Sequence, residues 1–80
     1  MYLITFHTNF DANLFSRKAK ALGKAQSKPV PRQLSSSCGT CVVFTPAEGS
    51  KMLEALSALA FEKMYRVADS GEYELIAEKE

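Results

Sequence analysis

CVVFTPAEGSKMLEALSALAF, from Cys41 to Phe61, is the stretch on which the fold class turns. Cys41 to Phe44 are apolar and β-rich, the composition of a short central strand. Thr45, Pro46 and Glu48 then spell a helix start: a hydroxyl at the N-cap, a proline at the first helical position and an acid three residues beyond the cap. Leu53, Leu56, Leu59 and Ala60 follow as the buried stripe of a helix that fades near Phe61. The stretch therefore reads as strand, then helix.

Upstream, Tyr2, Ile4 and Phe6 alternate with Leu3 and Thr5, which predicts a strand over residues 2–6 with two partly buried faces. Thr8 and Asp11 resemble a capping box, Ala12, Phe15, Ala19 and Leu22 recur at helical spacing, and Gly23 supplies the stop. Lys24 to Val30 is polar and ends among Pro29 and Pro31, which cannot donate ladder hydrogen bonds, so a strand here belongs at a sheet edge. Downstream, Met64 to Ala68 reads as a fourth strand, Asp69-Ser70-Gly71 as a turn, and Tyr73 to Ile76 as a short return strand or tail. The order strand, helix, strand, strand, helix, strand predicts an α+β, ferredoxin-like βαββαβ sandwich, two helices covering one face of an antiparallel sheet. In that arrangement His7, the amides after Thr8 and Cys38 become neighbours at one end of the sheet.

A chain of 80 residues, 46% hydrophobic and 24% charged, is expected to fold as one small globular domain over residues 1–80 without a deep cleft. No apolar run approaches the roughly 20 residues that cross a bilayer, and the N-terminus lacks a basic region followed by a long apolar stretch, so the expected location is the cytoplasm and no membrane is expected as partner. Two cysteines in a reducing compartment are expected to be thiols. The net charge of +1 is uneven: residues 1 to 40 carry six basic side chains against Asp11, a net +5, and the remainder carries −4. That asymmetry suits either a docking surface for an acidic partner or a solvated helix face. No aromatic-basic motif accompanies it, so nucleic acid is not the expected partner.

Both cysteines fall in PVPRQLSSSCGTC, Pro29 to Cys41. Sulfur is a useful nucleophile only as thiolate, which a nearby cation or helix N-terminus favours. Arg32 precedes Cys38 in the loop, His7 and the first helix are expected at the same end, Gly39 permits unusual backbone, and Ser37 and its neighbouring serines can donate to a sulfur anion. Each has a plainer explanation: the serines as turn-formers, His7 as a surface histidine at a strand end, Arg32 as a donor to loop carbonyls, Cys41 as a small buried hydrophobe. Cys38-Gly39-Thr40-Cys41 also matches C-x-x-C, yet it leads into a strand, whereas the thioredoxin-like redox motif opens a helix. The pair offers too few ligands for a tetrahedral zinc site within one chain, and no phosphate-cradling glycine pattern or paired-carboxylate site is present, so neither metal nor cofactor is expected. Among enzyme-like chemistries only sulfur chemistry has residues to carry it.

Here the chain resembles a family of small bacterial domains described as selenium/sulfur carrier-like. The resemblance rests on Pro29-Val30-Pro31-Arg32 followed by Ser35-Ser36-Ser37-Cys38-Gly39, and extends more loosely to Tyr2-Leu3-Ile4-Thr5-Phe6 and Tyr65-Arg66-Val67. It implies that Cys38 holds a persulfide or selenopersulfide and hands the terminal atom on, a stoichiometric carrier rather than a turnover enzyme, with sulfur or selenium donor and acceptor proteins as partners. Two features depart from the pattern: the polar Ala25-Gln26-Ser27-Lys28, and the extra thiol Cys41, which could resolve a persulfide on Cys38 into a disulfide. A thiol-disulfide switch through Cys38 and Cys41 is the first alternative. The second is a ferredoxin-like interaction module with incidental cysteines, in which an exposed sheet edge or the basic first half binds a protein partner; the same edge could also pair two copies into a homodimer, although its prolines blunt it.

Overall fold

The computed structural model describes residues 1–21, 23–34, 39–46 and 59–79. The chain runs β1 (Tyr2–Thr5), α1 (Asn9–Lys20), β2 (Gly23–Pro29), β3 (Thr40–Pro46), β4 (Lys63–Val67) and β5 (Tyr73–Glu78). The strands form one sheet in the order β2-β3-β1-β4-β5, and every neighbouring pair is antiparallel. β2 lies at an edge, the position its terminal Pro29 demands.

This corrects the expected βαββαβ sandwich with two helices on one face: the described residues hold one helix and five strands. The expected second helix falls largely on residues 47–58, outside the described residues. Of its expected stripe, Leu59 is half-buried against the core and Ala60 is exposed. The added strand has a local cause. Gly71, at φ +88°, turns the chain back after β4, and the Ala68 carbonyl accepts the Gly71 N–H at 2.9 Å. The returning segment pairs along the whole of β4, with a bulge between Met64 and Tyr65 that lets it continue to Glu78 rather than stop at Ile76. Across this hairpin Arg66 donates to Glu74, a hydrogen bond and charge that hold the guanidinium pKa above its ordinary value.

α1 begins as its capping residues predict: the Thr8 side chain accepts the Asp11 N–H at 3.1 Å while the Thr8 backbone stays extended. Its other end differs from expectation. The helix is capped by Ala21 in the right-handed region, whose N–H reaches the Lys18 carbonyl at 3.2 Å, and Gly23 already belongs to β2. Thr8→Ala is expected to cost about 1 kcal/mol, read as a lower urea midpoint at constant slope; an unchanged midpoint would assign the cap no energetic role.

Strand alternation gives the sheet two apolar faces. On one, Ile4, Phe6, Val42, Phe44 and Met64 meet Ala12, Phe15 and Ala19 of α1, and the rings of Phe6 and Phe15 meet edge-on at 5.3 Å. On the other, Leu3, Cys41 and Tyr65 form a smaller cluster with no described helix over it; Val30 and Leu34 pack there instead. The reading of β1 as a strand with two buried faces holds, since Leu3 and Ile4 are both buried.

Candidate functional site

The register fixes what shares one end of the sheet. Thr5 at the end of β1 lies opposite Cys41 of β3 and Lys63 of β4, while Pro29 at the end of β2 lies opposite Thr40. His7, the start of α1 and the two described ends of the cysteine segment, Val30 and Gly39, therefore lie at the same end. The Thr5 hydroxyl is buried there, accepting the Lys63 N–H at 3.1 Å, and the Thr5 carbonyl accepts the Glu62 N–H at 2.7 Å.

In the described part of the connection, Pro31 and the apolar Val30 and Leu34 direct the backbone. The Val30 N–H bonds to the Gly39 carbonyl at 3.1 Å, closing the neck of the loop, and the Leu34 N–H bonds to the Pro31 carbonyl at 3.0 Å, a turn with Pro31 at its first position. Val30 and Leu34 thereby reach the face opposite α1, leaving Arg32 and Gln33 exposed at the turn. Gly39 is exposed at φ +73°, and no atom lies within 4 Å of where a Cβ would stand. Its constraint is conformational rather than steric. Gly39→Ala is expected to lose about 1 kcal/mol by the left-handed penalty, measurable by equilibrium unfolding; an equal stability would mean that the loop neck rearranges without cost.

Cys38, Ser35, Ser36 and Ser37 lie outside the described residues. Cys41 is buried in the cluster on the face opposite α1, its Sγ 3.7 Å from the Pro29 carbonyl oxygen. A thiol so placed lacks the exposure of a redox partner, and the structure does not support the paired-cysteine arrangement. His7, expected to face the cysteine loop, is exposed and set 3.5 Å from a carboxylate oxygen of Glu62 through Nδ1. Glu62 went unnoticed in the sequence because it lies between helix and strand signals, where no periodicity points to a partner. Among the described residues no three His, Cys, Asp or Glu side chains converge as metal ligands. No helix among them is long and apolar enough to cross a membrane.

A further feature escaped the sequence. Ala25 packs in the core on the α1 side, so Lys24, Gln26 and Lys28 alternate onto the opposite face, where the register sets them beside Thr45, Val43 and Cys41. The polar composition of β2, a departure from the family pattern, thus belongs to one exposed edge rather than to a failure of pairing.

Comparison with known proteins gives one family. The family model described as "Putative Se/S carrier protein-like" matches residues 1–66, which include β1 to β3, the cysteine loop and most of β4. No curated protein and no solved structure matches the chain. The chain belongs to this family.

Proposed function

We propose that this member of the Se/S carrier-like family carries sulfur or selenium as a persulfide or selenopersulfide on Cys38. The observation that carries the reading is the contrast between the two cysteines. Cys41 is buried in the cluster on the face opposite α1, whereas Cys38 belongs to the Pro-Arg, Ser-Cys-Gly segment whose described flanks, Arg32 and Gly39, are exposed. Helix α1 opens at the same end of the sheet and Arg32 adds a cation, both of which favour an anionic sulfur.

The chemistry needs no external oxidant or reductant. The Cys38 thiolate attacks the terminal sulfur of a donor persulfide; an S–S bond forms to Cys38 as the donor's S–S bond breaks, and the donor leaves as a thiolate. An acceptor thiolate repeats the exchange at the outer atom and regenerates the Cys38 thiolate. One sulfane sulfur moves at each step without net oxidation. Selenium in the outer position follows the same balance.

The test is intact-mass measurement, without reductant, after the reduced protein meets a cysteine desulfurase and cysteine. A gain of one sulfur atom, removed by a thiol reductant, is expected. Loss of two hydrogens with no sulfur gained would instead indicate a dithiol switch and overturn the carrier reading.

A further inference from the structure

On the face opposite α1 two depressions adjoin, sharing Met1, Lys28 and Val43. One, a cavity of about 220 Å³, is lined mainly by apolar groups, among them Leu3, Pro29, Pro31 and Tyr73. The other, about 370 Å³, is lined in part by Lys24, Gln26 and Thr45. Among the described residues, no acidic side chain lines either depression and neither Lys24 nor Lys28 has an acidic partner. On an extended strand two side chains four residues apart stand roughly 13 Å from each other on one face. The result is a shallow groove with an apolar socket at one end and two ammonium groups along β2.

We propose that this groove docks an extended acidic peptide segment of a partner protein, which seats one large apolar side chain in the socket and sets its carboxylates against Lys24 and Lys28. Charge complementarity selects this occupant: the socket suits a single aliphatic or aromatic side chain, and two lysines without competing acids attract a negative strand and repel a basic one. Identification of the segment with a sulfur donor or acceptor rests on the carrier reading; the binding itself does not. The groove's β2 wall continues through Pro29 and Pro31 into the segment that carries Cys38, so a peptide held there brings its parent protein to the end of the sheet where Pro31 and Gly39 lie.

The experiment is a peptide selection from a random displayed library on the full chain, followed by fluorescence anisotropy with the enriched peptide. Enriched sequences are expected to carry acidic residues around one large apolar residue, and binding is expected to weaken as salt rises. The double variant Lys24→Glu/Lys28→Glu, which alters only exposed side chains, is expected to bind the peptide at least about tenfold more weakly; circular dichroism checks that it remains folded. Val43→Asp, a change in the shared wall, is expected to do the same. A neutral or basic consensus, an absence of enrichment, or affinity unchanged in the double variant would overturn the proposal. So would concentration-dependent self-association that buries this face against a second copy. Peptide binding with failed loading of Cys38 leaves the groove standing and removes the carrier; the reverse outcome does the opposite.

Discussion

Cys38→Ser is expected to abolish sulfur loading, with the intact mass unchanged after incubation with desulfurase and cysteine. A serine hydroxyl offers no thiolate at neutral pH and cannot form the S–S bond on which the exchange depends, so the loss is complete rather than graded. The fold should survive, because the exchange replaces one atom in a segment flanked by the exposed Arg32 and Gly39. Cys41→Ser supplies the contrast. Its sulfur is buried beside the Pro29 carbonyl, so the variant should load normally, keep its persulfide as long as the parent does, and lose about 1 kcal/mol for placing a more polar group in an apolar cluster. Loading that persists without Cys38, or that disappears without Cys41, would reverse the assignment of the two thiols.

The difference between these cysteines marks how far the sequence could be read. Cys41 to Phe44 read as a strand because every side chain there is apolar and the run is short, and β3 is that strand. Thr8 and Asp11 revealed the start of α1 because capping is a local event, settled by a hydroxyl and an N–H three residues apart. Pro29 placed β2 at an edge for an equally local reason, a missing donor. What was not legible depended on the other face of the sheet. Whether Tyr73 onward is a tail or a strand depends on its pairing with β4 and on a bulge at Met64 and Tyr65, and no period in Tyr73 to Glu78 encodes a partner. The approach of His7 to Glu62 likewise joins residues 55 apart in the chain, and it needs the placement of β1 beside β4. The groove that Lys24 and Lys28 border was not legible either, because it needs Met1, Val43, Pro29 and Pro31 gathered on one side.

Phe6→Ala is expected to be the most damaging single change for stability. Phe6 and Phe15 are fully buried, their rings meeting edge-on at an interplanar angle of 63°, and together they join the end of β1 to the middle of α1. Removing one buried phenyl ring costs about 3–5 kcal/mol. A domain of this length holds only some 4–12 kcal/mol in all, so the variant should be marginal at 25 °C, with a urea midpoint reduced by half or more. A double-mutant cycle with Phe15→Ala should show about 0.5–1.5 kcal/mol of coupling beyond the loss of buried area. A cost near 1 kcal/mol, or strict additivity, would mean that the surrounding core closes over the gap. The functional consequence follows from position. Phe6 immediately precedes His7 and the capped start of α1, at the end of the sheet where Val30 and Gly39, the described flanks of the cysteine segment, also lie. Loss of Phe6 should therefore slow loading by a protein donor in step with the fraction unfolded, while the isolated Cys38 thiol keeps its reactivity toward a small alkylating reagent. Equal slowing with both reagents would place the defect in the thiol itself rather than in the surface that presents it.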